Sequence, residues 1–221
     1  MKYLWSTVVI ALCLTACSGL QPHEKIIHSQ AQQVGLVEVK KSRFDAAFVA
    51  PSAAFAQYKK IIIRDLDLSQ VTIIEPSSQG AFARPWSLSD EDKRYYQTRF
   101  AESAKKNLFT SGLFAPAATS AADTLVLSGK ITEIAPHAVK DDFKSRPGLM
   151  DVYSKGFGRM TIVFELTDSV TQKSVMVATD EHDLGNMWEL NNRVQNNLRI
   201  RLAFDYWLRS LEKELSAAAI H

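Results

Sequence analysis

The chain has 221 residues, 46% of them hydrophobic and 23% charged, with a formal net charge of +2. That is enough apolar surface for one substantial core, and an ordinary single domain remains if an amino-terminal segment is removed. So small a charge imbalance gives no basis for nucleic-acid binding or for a polybasic membrane-binding face.

Lys2 precedes an apolar run from Tyr3 to Leu14, and the small residues Thr15 and Ala16 then lead to Cys17. A charged start, a short apolar stretch and a small-residue cleavage site make a secretory signal. The run is shorter than the roughly 20 residues that a membrane span needs. "LTAC" (Leu14-Thr15-Ala16-Cys17) resembles the bacterial lipobox. The resemblance implies cleavage before Cys17, a diacylglyceryl group on its sulfur and a third acyl chain on its amine. Each buried methylene contributes about 0.8 kcal/mol and one chain holds only marginally, so several chains make a stable anchor. Ser18 stands where an aspartate would oppose it, which resembles the pattern that sorts lipoproteins to the outer membrane. Of the two cysteines, Cys13 leaves with the signal and Cys17 is lipidated. The mature domain is then expected to hold neither free thiol nor disulfide, which excludes a thiol nucleophile and a cysteine metal site.

The expected organisation is a signal peptide over 1–16, a lipidated amino terminus and tether over 17–40, and one domain over 41–216. Residues 18–40 are polar and mixed and read as a flexible tether with a mean span of roughly 25 Å. Pro51 and its small neighbours predict a turn, with Phe48, Phe55 and Tyr58 as core anchors. Ile61-Ile62-Ile63 opens a β-branched strand predicted to continue to about Leu68. Ser89 reads as the N-cap of a helix with Asp90, Glu91 and Asp92 in its first turn. Tyr96, Phe100, Ala104 and Leu108 share one face of it, and Gly112 is its expected terminator. Residues 123–134 predict a second strand with Leu125, Leu127 and Ile131 on one side. Residues 158–185 predict a hairpin that turns between Asp168 and Lys173, with Met160, Ile162, Phe164 and Leu166 alternating on one face. A last helix is predicted from about Trp188 to Leu215, with Val194, Leu198, Leu202, Leu208, Leu211 and Leu215 as its apolar face.

The fold class is therefore α+β, a single β-α-β-β-β-α domain whose mixed sheet is covered by two helices. "FVAPSAAFAQYKKIII", "ADTLVLSGKITEI" and "FELTDSVTQKSVMVATD" resemble the bacterial lipoprotein family catalogued as domain of unknown function 3313, over roughly residues 40–215. The resemblance implies an envelope lipoprotein with a small α/β domain and carries no activity with it. The chain departs from the family turn at Gln172, where Gly would take a positive φ at little cost.

The strand–helix–strand unit should be right-handed with parallel strands, so the first, second and fourth strands finish at one end of the sheet. Two long connections, 69–86 and 135–157, leave from that end, and ligands favour the crevice beyond strand carboxyl ends. Arg84, Trp86, Arg146, Tyr153, His182 and Trp188 are the candidate binding surface there. "DEHD" (180–183) places Asp180 and His182 on one strand face and Glu181 and Asp183 on the other. With no second histidine close by, no metal site is expected. No G-x-S-x-G elbow, H-E-x-x-H helix or phosphate-cradling glycine loop is present, so no catalytic residue and no cofactor is expected. The leading expectation is a non-catalytic lipoprotein whose partners are the membrane, through its lipid, and an envelope protein or glycan. A periplasmic hydrolase built on the strand-end loops is one alternative. A structural subunit that assembles through a sheet edge is another.

Overall fold

A computed structural model describes residues 27, 31–51, 54–76, 85–141 and 151–220. Its centre is three long strands, each with an alternating apolar face: β6 (Thr124–Pro136), β8 (Gly158–Asp168) and β9 (Ser174–Asp183). They pair antiparallel in the order β9-β8-β6. On one flank β3 (Lys60–Ile63) runs parallel to β6, with the two-residue β5 (Ala115–Pro116) outside it. On the other flank β2 (Ala46–Val49) pairs with β9, and the two-residue β1 (Val37–Glu38) forms the outer edge. The result is the predicted mixed sheet, β1-β2-β9-β8-β6-β3-β5.

The predicted first strand stops at Ile63 rather than near Leu68. The chain nevertheless stays beside β6, through a bridge from Asp67 to Lys130 and then β4 (Thr72–Ile73), which pairs with Glu133 and Ile134. β6 carries an irregularity between Ile131 and Glu133. One extra residue reverses the strand's alternation, so Ile134 faces the same core as Leu125, Leu127 and Ile131.

α1 (Asp90–Asn107) forms as the capping pattern predicts. Ser89 Oγ accepts the Asp92 N–H at 3.2 Å and the Asp92 carboxylate accepts the Ser89 N–H at 2.8 Å, a complete capping box. Tyr96, Phe100, Ala104 and Leu108 are all buried against the sheet. Gly129 of β6 lets Phe100 approach, since a Cβ there would lie 2.8 Å from Phe100 Cζ. The helix closes at Leu108, four residues before Gly112, which serves the following turn.

α2 (Arg193–Ile220) starts later than predicted, because Trp188–Leu190 is a strand, β10. Its predicted face holds from Leu208 to Leu215 and shifts in the first half. Ile200, Phe204, Trp207, Leu208, Leu211 and Leu215 are buried, whereas Val194 is 77% and Leu202 46% exposed. Both helices lie on one face of the sheet. Asp205 of α2 accepts from Ser103 at 2.6 Å, Asn107 at 3.1 Å and Lys106 at 2.9 Å, all on α1.

The opposite face has a smaller core that corrects the tether boundary. Ile27, Ala31 and Leu36 are buried there with Ala46 and Phe48, over Val163 and Val177. Leu36 N–H donates to the Ala31 carbonyl at 2.9 Å. Packing thus begins by Ile27, well before residue 41.

The hairpin turn settles the expectation at Gln172. Its φ is 56°, the only positive φ of a non-glycine among the described residues. Asp168 Oδ1 accepts the N–H groups of Val170 and Thr171 at 3.0 and 2.7 Å, and Gln172 Nε2 donates to the Ser169 carbonyl at 2.7 Å. Any L side chain bears a cost of about 1–2 kcal/mol at such a φ that Gly escapes; the Gln172 bond to Ser169 offsets it, and a β-branched residue has no such bond and fits this φ worse still. Gln172→Val should therefore lower the unfolding free energy in urea by about 1–2 kcal/mol, while Gln172→Gly stays within about 1 kcal/mol of the parent. Equal stability of the valine variant would contradict this turn.

Candidate functional site

β6 and β9 finish at the same end of the sheet, where Pro136 pairs with Gly158 and Arg159 with Asp183. Two connections leave there, and each contributes one strand to a separate ribbon: β7 (Tyr153–Lys155) pairs antiparallel with β10 (Trp188–Leu190). Trp188 lies opposite Lys155 and Leu190 opposite Tyr153. Strand alternation therefore puts these four on one face, and Ser154 and Glu189 on the other.

The inner face is fixed to the domain. Ser154 is buried and donates to the Gly156 carbonyl at 2.7 Å. Glu189 takes Arg199 of α2 in a two-pronged pair, at 2.8 Å from Nε and 2.5 Å from Nη2. Gly156 N–H donates to the carbonyls of Ser154 and Met187, both at 3.1 Å, and Asn191 N–H to that of Val152 at 2.7 Å. Gly156 has a φ of +72°, and a Cβ there would lie 2.3 Å from the Gly185 carbonyl, so the ribbon's base admits no side chain. His137 Nδ1 lies 2.7 Å from the Lys155 carbonyl and must carry the proton of that bond.

The outer face is open. Trp188 is 75% and Tyr153 60% exposed, and Met187, just before β10, is 69% exposed. With His137, Ser154 and Lys155, Tyr153 and Trp188 line a cleft of about 450 Å³.

Of the predicted surface residues, then, Tyr153 and Trp188 come together on this ribbon. Trp86 does not join them, because it is a core residue. Its ring meets Phe157 edge-on at 6.0 Å, its backbone N–H is held by the Glu75 carboxylate, and Lys140 Nζ sits 5.2 Å from the ring centroid. His182 stacks on Tyr206 of α2 at 4.4 Å between ring centres. Burial pushes its imidazole below the ordinary value, against the pull of Asp183 and Asp45. Arg84, Arg146 and Cys17 lie outside the described residues. Lys155 and the Glu189–Arg199 pair were not legible in the sequence. Alternation over three residues, as in Tyr-Ser-Lys and Trp-Glu-Leu, is too short a signal to mark a strand.

A second polar cluster lies where the amino ends of α1 and α2 converge. Lys140 pairs with Asp92, Arg193 with Glu91 at 2.9 Å, and the Arg193 N–H with Asp141 at 2.8 Å. Burial acts to raise the Asp92 carboxyl, but Lys140 and the Ser89 donors outweigh it and hold it below the usual carboxylate range. The cavity among these groups is about 40 Å³, room for little more than a water molecule. Among the described residues, no group of three or more His, Cys, Asp or Glu side chains is placed to hold a metal ion.

"DEHD" has an internal role at Asp180. Its carboxylate accepts the Trp207 indole N–H at 2.8 Å and the Asp45 N–H at 3.1 Å, while Asp45 accepts the Glu181 N–H at 2.7 Å. Burial pushes the Asp180 carboxyl up to about 6, with Asp45 and Glu181 adding to the rise and the Trp207 donor opposing it.

The profile of a family described as "Protein of unknown function (DUF3313)" matches residues 28–211. The chain belongs to the DUF3313 family. No curated protein matches this DUF3313 chain. Among solved structures it is similar to the PelC dodecamer from Paraburkholderia phytofirmans, at 15% identity and a TM-score of 0.37, covering 75% of this chain and 96% of that one. It is similar to protein XCC0632 from Xanthomonas campestris at 8% identity and a TM-score of 0.40, covering 77% and 90%. It is similar to a minor lipoprotein from Acinetobacter baumannii at 13% identity and a TM-score of 0.33, covering 72% and 94%. Function does not transfer across pairs so distant. Among the described residues, no helix of this DUF3313 domain is long and apolar enough to cross a membrane.

The Asp180 clasp gives a pH prediction. In the folded chain Asp180 takes up its proton at about 6, in the unfolded chain at the ordinary 3.8. The folded state thus binds the proton first, and the penalty of the buried charge, full above about 6, is relieved as pH falls towards 3.8. The stability difference between wild type and Asp180→Asn should shift by about 2 kcal/mol in favour of wild type from pH 7 to pH 4. The comparison cancels the other carboxylates, and parallel pH profiles for the two proteins would contradict it.

Proposed function

We propose that this DUF3313 chain is a lipid-anchored protein of the bacterial cell envelope, held at the outer membrane through Cys17 and facing the periplasm. It acts there as a non-catalytic binding or scaffold module that meets another envelope component through the outer face of the β7–β10 ribbon. The anchor is supported by Lys2, the short apolar run, "LTAC" and Ser18. The contact surface is supported chiefly by Trp188, 75% exposed on a ribbon whose inner face is held by the Glu189–Arg199 pair. Large aromatic side chains on a fixed backbone bind with little loss of conformational freedom.

The alternatives have less support. The charged groups at the amino ends of the helices are matched in pairs around a cavity of about 40 Å³, and the roomier cleft of about 450 Å³ at the ribbon is lined by His137, Tyr153, Ser154, Lys155 and Trp188, without a carboxylate. Both sheet edges are two-residue strands, Val37–Glu38 and Ala115–Pro116, and the second ends in a proline that has no N–H to donate. Short, proline-bearing edges oppose edge-to-edge assembly.

Two measurements in living cells test the proposal. A photoreactive amino acid at Tyr153 or Trp188 should crosslink to an envelope component, and the same probe at Val170, an exposed residue of the hairpin turn, should not. Equal yields from the three sites would remove the ribbon as the contact surface. Cys17→Ser should leave the membrane fraction. A variant that is processed and fractionates as the parent does would remove the anchor.

A further inference from the structure

We infer that the outer face of the β7–β10 ribbon lies on the same bilayer that holds the Cys17 lipid, with Trp188 and Tyr153 at the headgroup level and Lys155 beside the phosphates. This rests on the lipid-anchor proposal and names the component that the ribbon meets.

Chemistry is the first argument. Tryptophan and tyrosine favour the membrane–water interface, because each joins an apolar ring to one polar hydrogen. Lys155 lies directly across the ribbon from Trp188. Its alkyl stem can cover apolar surface while the ammonium reaches for phosphate. The one carboxylate on the two strands, Glu189, is turned inward to Arg199. The strands therefore present aromatic rings and a cation on the outer face, and no acid, which suits a phosphate-bearing surface.

Reach is the second. Ile27 and Ala31 are packed on the sheet, so only residues 18–26 separate the anchor from the domain. Ten residue steps from Cys17 to Ile27 extend at most roughly 35 Å. Ile27 packs on the middle of the sheet, and the ribbon end lies about 20 Å away at a rise near 3.3 Å per residue. The linker thus lets the ribbon end meet the bilayer and forbids the domain to stand far from it. Tethering of this kind gives an effective concentration in the millimolar range, so a weak surface contact is occupied.

Fixity is the third. The bonds of Glu189 to Arg199, of Asn191 Nδ2 to the Val139 carbonyl and of His137 to the Lys155 carbonyl hold the ribbon against the domain, so docking the rings orders little that is not already ordered.

The chain itself supplies the probe. Its four tryptophans are Trp5, in the expected signal peptide, and Trp86, Trp188 and Trp207. Trp86 and Trp207 are buried. The native protein is purified and reconstituted into phosphatidylethanolamine–phosphatidylglycerol vesicles, with and without bromine on the acyl chains. Brominated lipid should quench the Trp188 share of the emission, and Trp188→Phe should abolish that loss. Equal emission in the two kinds of vesicle overturns the docking. So does a Trp188 shielded from both acrylamide and bromine in a protein that sediments as a dimer, since a second copy would then cover the face. The mass of the Cys17 peptide judges the anchor separately. If that cysteine is unmodified, the anchor falls and the bromine comparison with added vesicles still decides the docking.

Discussion

One face of β6, β8 and β9 must leave water, and α2 is the element that covers most of it. Trp207, Phe204, Leu208, Leu211 and Leu215 of that helix are completely buried against Phe164, Leu166, Ile162 and their neighbours. Burying side chains of this size contributes roughly 1.5–3 kcal/mol each. Trp207 also brings a polar hydrogen into the core, and an unmatched donor there would cost about 1–3 kcal/mol. Asp180 takes it. The same carboxylate takes the Asp45 N–H next to β2, so one buried group joins the helix, the last long strand and the strand at the sheet's flank. A carboxylate suits this position because it can accept from two donors at once, at the expense of an acid pushed up to about 6.

The ribbon depends on the same helix. A two-stranded ribbon is marginal in water by itself. β7 and β10 persist because Arg199, in the second turn of α2, grips Glu189, and because His137 and the Val139 carbonyl, just past β6, bond Lys155 and Asn191 at the ends of the two strands. Covering the sheet and presenting the aromatic face are in this way one structural event. Among the described residues, the polar groups where the two helices start pair with one another, and the exposed rings of Tyr153 and Trp188 stand apart from them.

Much of this was legible in the residues. The long strands declared themselves through alternation, and α1 through Ser89, its acidic first turn and the four-residue recurrence of Tyr96, Phe100, Ala104 and Leu108. The position of Gln172 was legible as one that needs a positive φ, and it takes it with the wrong residue type. Where apolar residues surround a helix, periodicity ceases to choose a face. Val194 and Leu202 turned outward in α2 because Ile200, Phe204 and Trp207 supply the larger buried surface. Trp188 looked like the start of that helix because Trp-Glu-Leu is too short to show a period of two. Ala46-Ala47-Phe48 hid a strand behind small residues, and the burial of Ala31 and Leu36 depends on contacts from distant parts of the chain. Trp86 read as a surface ring because it follows a loop and Pro85, and only the approach of Phe157 and Glu75 makes it core.

The central claim is that the aromatic end is a fixed platform rather than a loose pair of loops. Hydrogen exchange read by mass spectrometry tests it directly in the peptides that contain Gly156 and Asn191, whose N–H groups bond the ribbon to itself and to its base. These amides should be protected to nearly the level of those in β8 and β9. Exchange at the rate of an unstructured chain would contradict the account.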